Sequence, residues 1–385
     1  MNINDPLTLL GGLSPQTFMR RYWHKKPLVI RQAIANFAAP VDRAGLLDLA
    51  AQSEVQSRLI VQGDAGKGGK AAAWRLRHGP FVRRSLPPFK QPGWTLLVQG
   101  VDLHDERVHA LMNQFRFVPD ARLDDLMISY ATDGGGVGPH FDSYDVFLLQ
   151  AVGTRRWRIG RQKDLSLQPN MPLKILANFE PEQEFVLEPG DMLYLPPRYA
   201  HDGIAQGECM TYSIGFRSPS AGELARELLQ GLAEQAADVV GERLYRDPKQ
   251  VAVAQCGEIP QAMLEFAQEA LQDALRDPHA LRRALGEYLS EPKPAVWFDV
   301  GSTLDAHDRV RLDRRTRMLF DAHHVFINGE SYVASGRDAQ VMHTLANERV
   351  LSPADTKRLS APARALLADW CEAGWLHVDY SDGSH

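Results

Sequence analysis

The sequence predicts an α+β chain in three parts, and three observations predict it. Residues 1–217 alternate short apolar or β-branched runs with Gly/Pro turns, the pattern of a β-sandwich or barrel. Residues 218–290 turn to Ala, Leu, Glu and Gln with leucines at helical spacing, and residues 291–385 mix alternating stretches with three short helical ones. At 385 residues the chain exceeds one ordinary domain, in keeping with that division.

The first region opens on an amphipathic helix, with Ser14 placed to cap it and Phe18, Tyr22 and Trp23 following. Strands are expected over 27–31, 94–99, 125–131, 142–150, 155–159, 191–195 and 210–216, with a turn at Gly153 between the fourth and fifth. In the second region Ser220 offers an N-cap. Leu224, Leu228, Leu229 and Leu232, then Leu264, Phe266, Leu271 and Leu275, describe a helical pair with an apolar stripe. That stripe needs a partner, supplied by packing onto the barrel or by homodimerisation through 218–290. Pro292 and Pro294 mark the next boundary.

The third region reads as alternating stretches over 309–320, 324–328 and 331–334, helices near 339–347, 353–357 and 362–371, and a closing strand over 374–378. Strands and three helices in that length look like a winged-helix module. Its charge has the wrong sign for a phosphate-binding surface, since residues 295–385 hold 10 Lys and Arg against 13 Asp and Glu. A structural or protein-contacting role is expected. His323 and His324 are adjacent, face opposite sides of a strand, and are expected to be structural.

Composition narrows the function classes. A 44% apolar and 24% charged content is that of a soluble globular protein, and no segment approaches the roughly 18 uninterrupted apolar residues of a membrane span. The first residues have neither a basic start nor a secretory apolar core. Cys209, Cys256 and Cys371 are dispersed without zinc spacing, so a reducing cytoplasm is expected. The net charge of −5 argues against nucleic-acid binding and is compatible with a basic protein substrate.

The chemistry is expected at Gly-Pro-His140-Phe-Asp142 and at Pro-Pro-Arg-Tyr-Ala-His201. If the first segment is a strand, His140 and Asp142 share a face, and the run Val146, Phe147, Leu148, Leu149 favours strand. Gly134, Gly135, Gly136, Gly138 and Pro139 leave little side-chain bulk before His140, as close approach of a ligand requires. Two imidazoles and one carboxylate leave about three of six octahedral positions open, the arrangement of non-haem Fe(II) oxygenases, which take a bidentate cosubstrate and dioxygen together. Among Arg155, Arg156 and Arg158, Arg155 shares a strand face with Trp157 and Ile159, so it is placed to clamp the distal carboxylate of a dicarboxylic acid.

These residues carry a resemblance. Gly190-x5-Pro196-x-Arg198-x2-His201 resembles the second cupin motif, with Arg198 where the family usually has glycine. The order of metal His, metal Asp, turn and basic residue is similar to that of the JmjC 2-oxoglutarate oxygenases. Most of these carry lysine where Arg155 stands, and the bacterial ribosomal-oxygenase branch carries arginine. Further likeness to that branch lies in residues 124–129, 134–142, 144–147, 155–158, 188–191 and 212–217. The resemblance covers essentially the whole chain.

It implies a double-stranded β-helix (JmjC/cupin barrel) over 1–217, a helical dimerisation region over 218–290 and a winged-helix-like domain over 291–385. It further implies Fe(II) bound by His140, Asp142 and His201, 2-oxoglutarate contacted by Ser129 and Arg155, dioxygen as second cosubstrate, and 3-hydroxylation of an arginine in large-subunit ribosomal protein L-sixteen. Thr211 departs from the more amide-like residue expected in a close relative. On the strand that presents Ser129, Asp125 and Met127 share its face. Asp125 is expected to hold the target guanidinium, Met127 and Tyr144 to sandwich it, and Ser213 to line the same site, with Asp133 and Asp145 the next acids in line. A JmjC demethylase of N-methylated side chains and a non-catalytic cupin regulator stay open as alternatives.

Overall fold

The computed structural model describes residues 2–63, 74–305 and 308–379. It divides into two compact units, Met1–Ser218 and Pro219–His385.

In the first unit Ser14 accepts a hydrogen bond from the Thr17 amide and Pro15 occupies the first turn, so α1 (Pro15–Arg21) starts where the cap signal places it. There follow β1 (Leu28–Ile30), α2 (Arg43–Ala50), β2 (Ser57–Gln62), β3 (Trp74–His78), β4 (Trp94–Val98), α3 (Glu106–Asn113) and β5 (Leu123–Ala131). The unit closes with β6 (Val146–Gly160), β7 (Gln183–Leu187), β8 (Met192–Leu195) and β9 (Ala200–Phe216). All nine strands join one sheet of order β1-β8-β6-β9-β5-β4-β2-β3 with β7 beside β6, and every pairing is antiparallel.

The two longest strands organise this sheet. In β6, Phe147 and Leu149 enter the main apolar core with Phe18 and Tyr194, while Val146, Leu148, Trp157 and Ile159 enter a second cluster. Burial on both faces explains the unbroken apolar run. The two strands expected at 142–150 and 155–159 are one strand here. Gly153, read as a turn, instead accommodates an irregularity: its φ is +62°, and a Cβ there would lie 2.1 Å from the Glu208 carbonyl. The segment before Val146 is also not a strand. His140 makes an isolated bridge to His201, and Asp142 lies in an irregular turn.

The second unit begins with α4 (Ala221–Val240), α5 (Gln261–Ala274) and α6 (Ala280–Ser290), three helices where a pair was expected. Ser220 and Glu223 close α4 with a reciprocal capping box. Then come β10 (Arg309–Leu312), β11 (Met318–Phe320), β12 (His324–Ile327), β13 (Glu330–Val333), α7 (Gly336–Glu348), β14 (Val350–Leu351), α8 (Pro353–Arg358), α9 (Ala361–Glu372) and β15 (Leu376–Asp379). Two three-stranded antiparallel sheets, β14-β10-β15 and β11-β12-β13, share a core with α7 and α9 through Val310, Ile327, Leu345 and Leu367. His324 is buried and its Nδ1 meets Asp321 at 3.2 Å, a structural contact as expected.

Candidate metal centre

His140, Asp142 and His201 each present one ligand atom, and the three atoms lie within 4.8 Å of one another. Backbone bonds hold the set together. His140 N donates to His201 O at 2.9 Å and His201 N to His140 O at 2.8 Å. The Arg198 amide donates to the Asp142 carbonyl at 2.7 Å. Arg198 stands at φ +62°, the left-handed conformation that explains why glycine is usual at this motif position.

The imidazoles are oriented from behind. Nδ1 of His140 lies 2.8 Å from the Gly138 carbonyl and Nδ1 of His201 lies 2.9 Å from the Tyr199 carbonyl. A carbonyl only accepts, so each ring carries its proton on Nδ1 and turns the Nε2 lone pair inward. Gly138, at φ +80°, allows its carbonyl to reach back to the ring two residues on. Burial, with His140 alongside, pushes the His201 pKa down to about 4, which keeps that nitrogen neutral at physiological pH. Two imidazoles with Nε2 turned inward and a carboxylate therefore fit an Fe(II)-type ion with positions left over.

The centre opens into a cavity of about 490 Å³. In its wall Arg155 is buried, with Nη1 donating at 3.1 Å to both Ser129 Oγ and Thr211 Oγ1. Thr211 in turn donates to Gln150 Oε1 at 3.0 Å. No carboxylate among the described residues lies within ion-pair distance of Arg155, and its Nε has no hydrogen-bond partner. Its neighbours Arg156 and Arg158 face away and pair with Glu184 and Asp202. The alternation thus selects Arg155 as expected. A buried cation lacking an anion is costly until an anionic ligand arrives.

Asp125, Met127, Tyr144 and Ser213 all line this cavity. Met127 and Ser213 are opposite each other on β5 and β9, and Tyr144 is 38% exposed. Asp125 is more engaged than expected, because its Oδ2 accepts from Gln99 Nε2 and from the Gly100 amide, each at 2.9 Å. Asp133 and Asp145 do not line the cavity: Asp133 accepts from the Gly207 amide, and Asp145 accepts from Tyr194 Oη at 2.6 Å. Sequence reasoning missed Arg58, Gln99, Asp124 and Lys174, which line it too. Arg58 was within reach, since Ser-Arg-Leu-Ile-Val-Gln holds a short β-branched apolar run bounded by polar residues, a strand signal.

Comparison with known proteins agrees with this geometry. A JmjC domain family matches residues 110–224, and a ROXA-like winged-helix family matches residues 269–377. The ribosomal protein uL16 3-hydroxylase of Escherichia coli (strain K12) is 38% identical over 280 residues, covering 72% of this chain and 71% of that protein. A probable ribosomal oxygenase of Haemophilus influenzae is 35% identical over 230 residues, covering 59% and 55%. Among solved structures, the X-ray structure of E. coli YcfD superposes with a TM-score of 0.78 at 31% identity, covering 94% of this chain and 97% of that one. YcfD, a ribosomal oxygenase, in complex with cobalt and 2-oxoglutarate gives 0.75 at 30% identity, covering 95% and 98%.

Proposed function

We propose a function from one premise: the chain belongs to the JmjC-domain ribosomal oxygenases. It is an Fe(II)- and 2-oxoglutarate-dependent protein hydroxylase, and its substrate is an arginine side chain of ribosomal protein uL16. The observation that carries this reading is Arg155, a buried guanidinium with no carboxylate partner among the described residues, in the wall of the cavity that holds the three metal-ligating side chains.

One substrate C–H, one dioxygen and one 2-oxoglutarate give the hydroxylated carbon, succinate and carbon dioxide, and Fe(II) held by His140, Asp142 and His201 supplies the electron-transfer chemistry at dioxygen. The chain's own residues position the reactants. Arg155, steadied by Ser129 and Thr211, takes the distal carboxylate of 2-oxoglutarate through paired charge-assisted hydrogen bonds. Leu148 and Trp157 line the cavity with apolar surface that excludes water. Asp125, in the cavity wall, accepts the target guanidinium, with Met127, Tyr144 and Ser213 around it.

The described helices include none long and apolar enough to cross a membrane, and the cysteines are unpaired, which supports a cytoplasmic enzyme. In the second unit, α4 and α5 bury no residue, and Leu229 and Leu271 are 63% and 64% exposed. This supports a homodimer through 218–290, with light scattering giving twice the 43.0 kDa chain mass. The winged-helix-like region over 291–385 then serves as a protein-contacting module.

Incubating the protein with uL16, Fe(II) and 2-oxoglutarate tests the reading. The expected product is uL16 heavier by one oxygen atom, with no formaldehyde released and no product from Asp142→Ala. Formaldehyde from a methylated peptide would favour a demethylase, and absence of 2-oxoglutarate turnover a regulator.

A further inference from the structure

The whole-chain charge of −5 hides an uneven distribution. Residues 65–101 contain seven Lys and Arg and no Asp or Glu, while the rest of the chain carries 36 against 48. The described part of this segment holds β3, the edge strand of the sheet, and the 3₁₀ turn Arg83–Ser85 that follows it. Arg75, Arg77, Arg83, Arg84 and Lys90 are all exposed, and none forms an ion pair with another described residue.

The side chains are gathered rather than scattered. Arg75 and Arg77 share one face of β3, opposite Val61 and Leu59. Arg77 Nη1 donates to the Ser85 carbonyl at 3.1 Å, which ties the strand to the turn, and Arg77 lies over the Phe81 ring at 5.5 Å. Arg83 lies 3.8 Å from the centre of the Phe89 ring. Arg43, also over Phe89, is matched with Glu208 at 2.8 Å and adds no unpaired charge. Charged side chains do protect edge strands from pairing, but either sign does this, so protection leaves the exclusion of acids unexplained.

We propose that this edge, from Arg75 to Lys90, is a binding site for the phosphate backbone of RNA. Exposed arginines spaced along an extended strand and its following turn, with Arg83 steadied over Phe89, match a backbone of regularly spaced anions. Leu76, on the other face of β3, lines the metal-centre cavity, so a strand bound on Arg75 and Arg77 lies across the edge strand from that cavity. On the proposed hydroxylase reading, RNA held there keeps a protein substrate that it carries beside the catalytic unit.

The test uses the full-length protein without cosubstrate, so its outcome is independent of the hydroxylase reading. A fluorescein-labelled single-stranded RNA of mixed sequence is titrated by anisotropy at several salt concentrations. The triple variant Arg75→Gln/Arg83→Gln/Arg84→Gln is expected to bind at least about tenfold more weakly and to flatten the log–log salt slope by about 2, at roughly 0.7 per lost phosphate contact. The Arg→Lys triple at the same positions keeps the charge and is expected to bind like the unaltered protein. Arg20→Gln/Arg21→Gln/Lys26→Gln removes as much exposed charge elsewhere and is expected to leave binding unchanged. No binding by the unaltered protein at low salt overturns the proposal. So does an equal loss in the second glutamine triple, a loss in the lysine triple, or displacement of the RNA by a glutamate-rich peptide more readily than by unlabelled RNA.

Discussion

Each unit of the molecule buries a charged side chain, Arg155 in the first and Asp313 in the second, and the two are treated in opposite ways. Asp313 Oδ1 accepts from the Arg315 amide and Nε at 2.8 Å each, and its Oδ2 meets Arg315 Nη2 at 3.1 Å and His377 Nε2 at 2.7 Å. Its carbonyl accepts from Arg349 Nη2 at 2.7 Å. Arg155 has two hydroxyl acceptors, an orphaned Nε and no carboxylate partner among the described residues. Burial is the same, 4% exposed against 0%, so burial does not distinguish function from structure. On the proposed function, completeness of the surroundings does: a satisfied charge holds elements together, and an unsatisfied one is held in reserve for a ligand.

The largest expected effect comes from removing the unsatisfied charge. Losing two charge-assisted bonds, Arg155→Ala should lower kcat/KM for 2-oxoglutarate roughly 100- to 1,000-fold, with Arg155→Lys between it and the unaltered protein, as steady-state titration would show. Arg155→Met should do the same while raising the melting temperature of the ligand-free protein, because about 1 kcal/mol of uncompensated desolvation disappears. If the methionine variant melts lower, Arg155 is structural like Asp313 and the contrast collapses.

Removing the satisfied charge should give the opposite pairing of outcomes. Asp313→Ala should cost about 3 kcal/mol in denaturant unfolding, since it removes the buried carboxylate shared by Arg315 and His377 and leaves Arg315 with the Trp297 carbonyl and the exposed Asp299, while turnover below the transition stays intact. Acid sharpens the distinction further. The Asp313 carboxyl, held down to about 2 by Arg315 and His377 against the cost of burial, lies below its ordinary 3.8. A lowered acid stabilises the fold above the unfolded value, and that contribution, about 2 kcal/mol, is lost as pH falls from about 4 through about 2. His201, lowered from 6.5 to about 4, must stay neutral when folded. Between those values the unfolded chain binds the extra proton, so the chelator-treated first unit loses stability as pH falls from about 6.5 to about 4. Two acid transitions in calorimetry, the first abolished by His201→Asn, are the expected result.

The smallest effect compares two arginines in one backbone conformation. Arg198 and Arg349 stand at φ +62° and +59°. Arg198 is exposed and contributes only its amide to the Asp142 carbonyl, so Arg198→Gly should stabilise by about 0.5–1 kcal/mol. Arg349 bonds the Asp313 and Thr316 carbonyls, so Arg349→Gly should destabilise by about 1 kcal/mol despite the same relief. Equal signs in thermal melts would show that the guanidinium of Arg349 contributes nothing.

The same division governs what was readable in the sequence. His140, Asp142, His201 and Arg155 were legible because local signals select them: a glycine-rich lead-in, a proline-braced turn and strand alternation. The i, i+2 argument reached the right pair through the wrong structure, since His140 and Asp142 converge through the His201 bridge and the Arg198 amide rather than along a strand. Gly153 misled because a glycine marks a turn and an irregular strand equally well. Gln99 was invisible because its partner Asp125 lies 26 residues away, and Asp313 because Arg315 two residues on is an ordinary surface-like pairing until His377, 64 residues away, closes the site.

The paired bonds between His140 and His201 have a kinetic consequence. Both imidazoles hang from one rung of backbone, with Nδ1 of each pinned two residues back. Breathing of the sheet therefore carries the two rings together, and their separation changes only when the rung itself opens. The amide protons of these two residues then exchange with solvent on the timescale of that opening, long after neighbouring amides of the 140–145 turn have exchanged. Asp142 lies outside that rung, its carbonyl held by the Arg198 amide and its carboxylate 3.7 Å from His201 Nε2, so opening of the rung separates the two rings without displacing the Arg198–Asp142 bond.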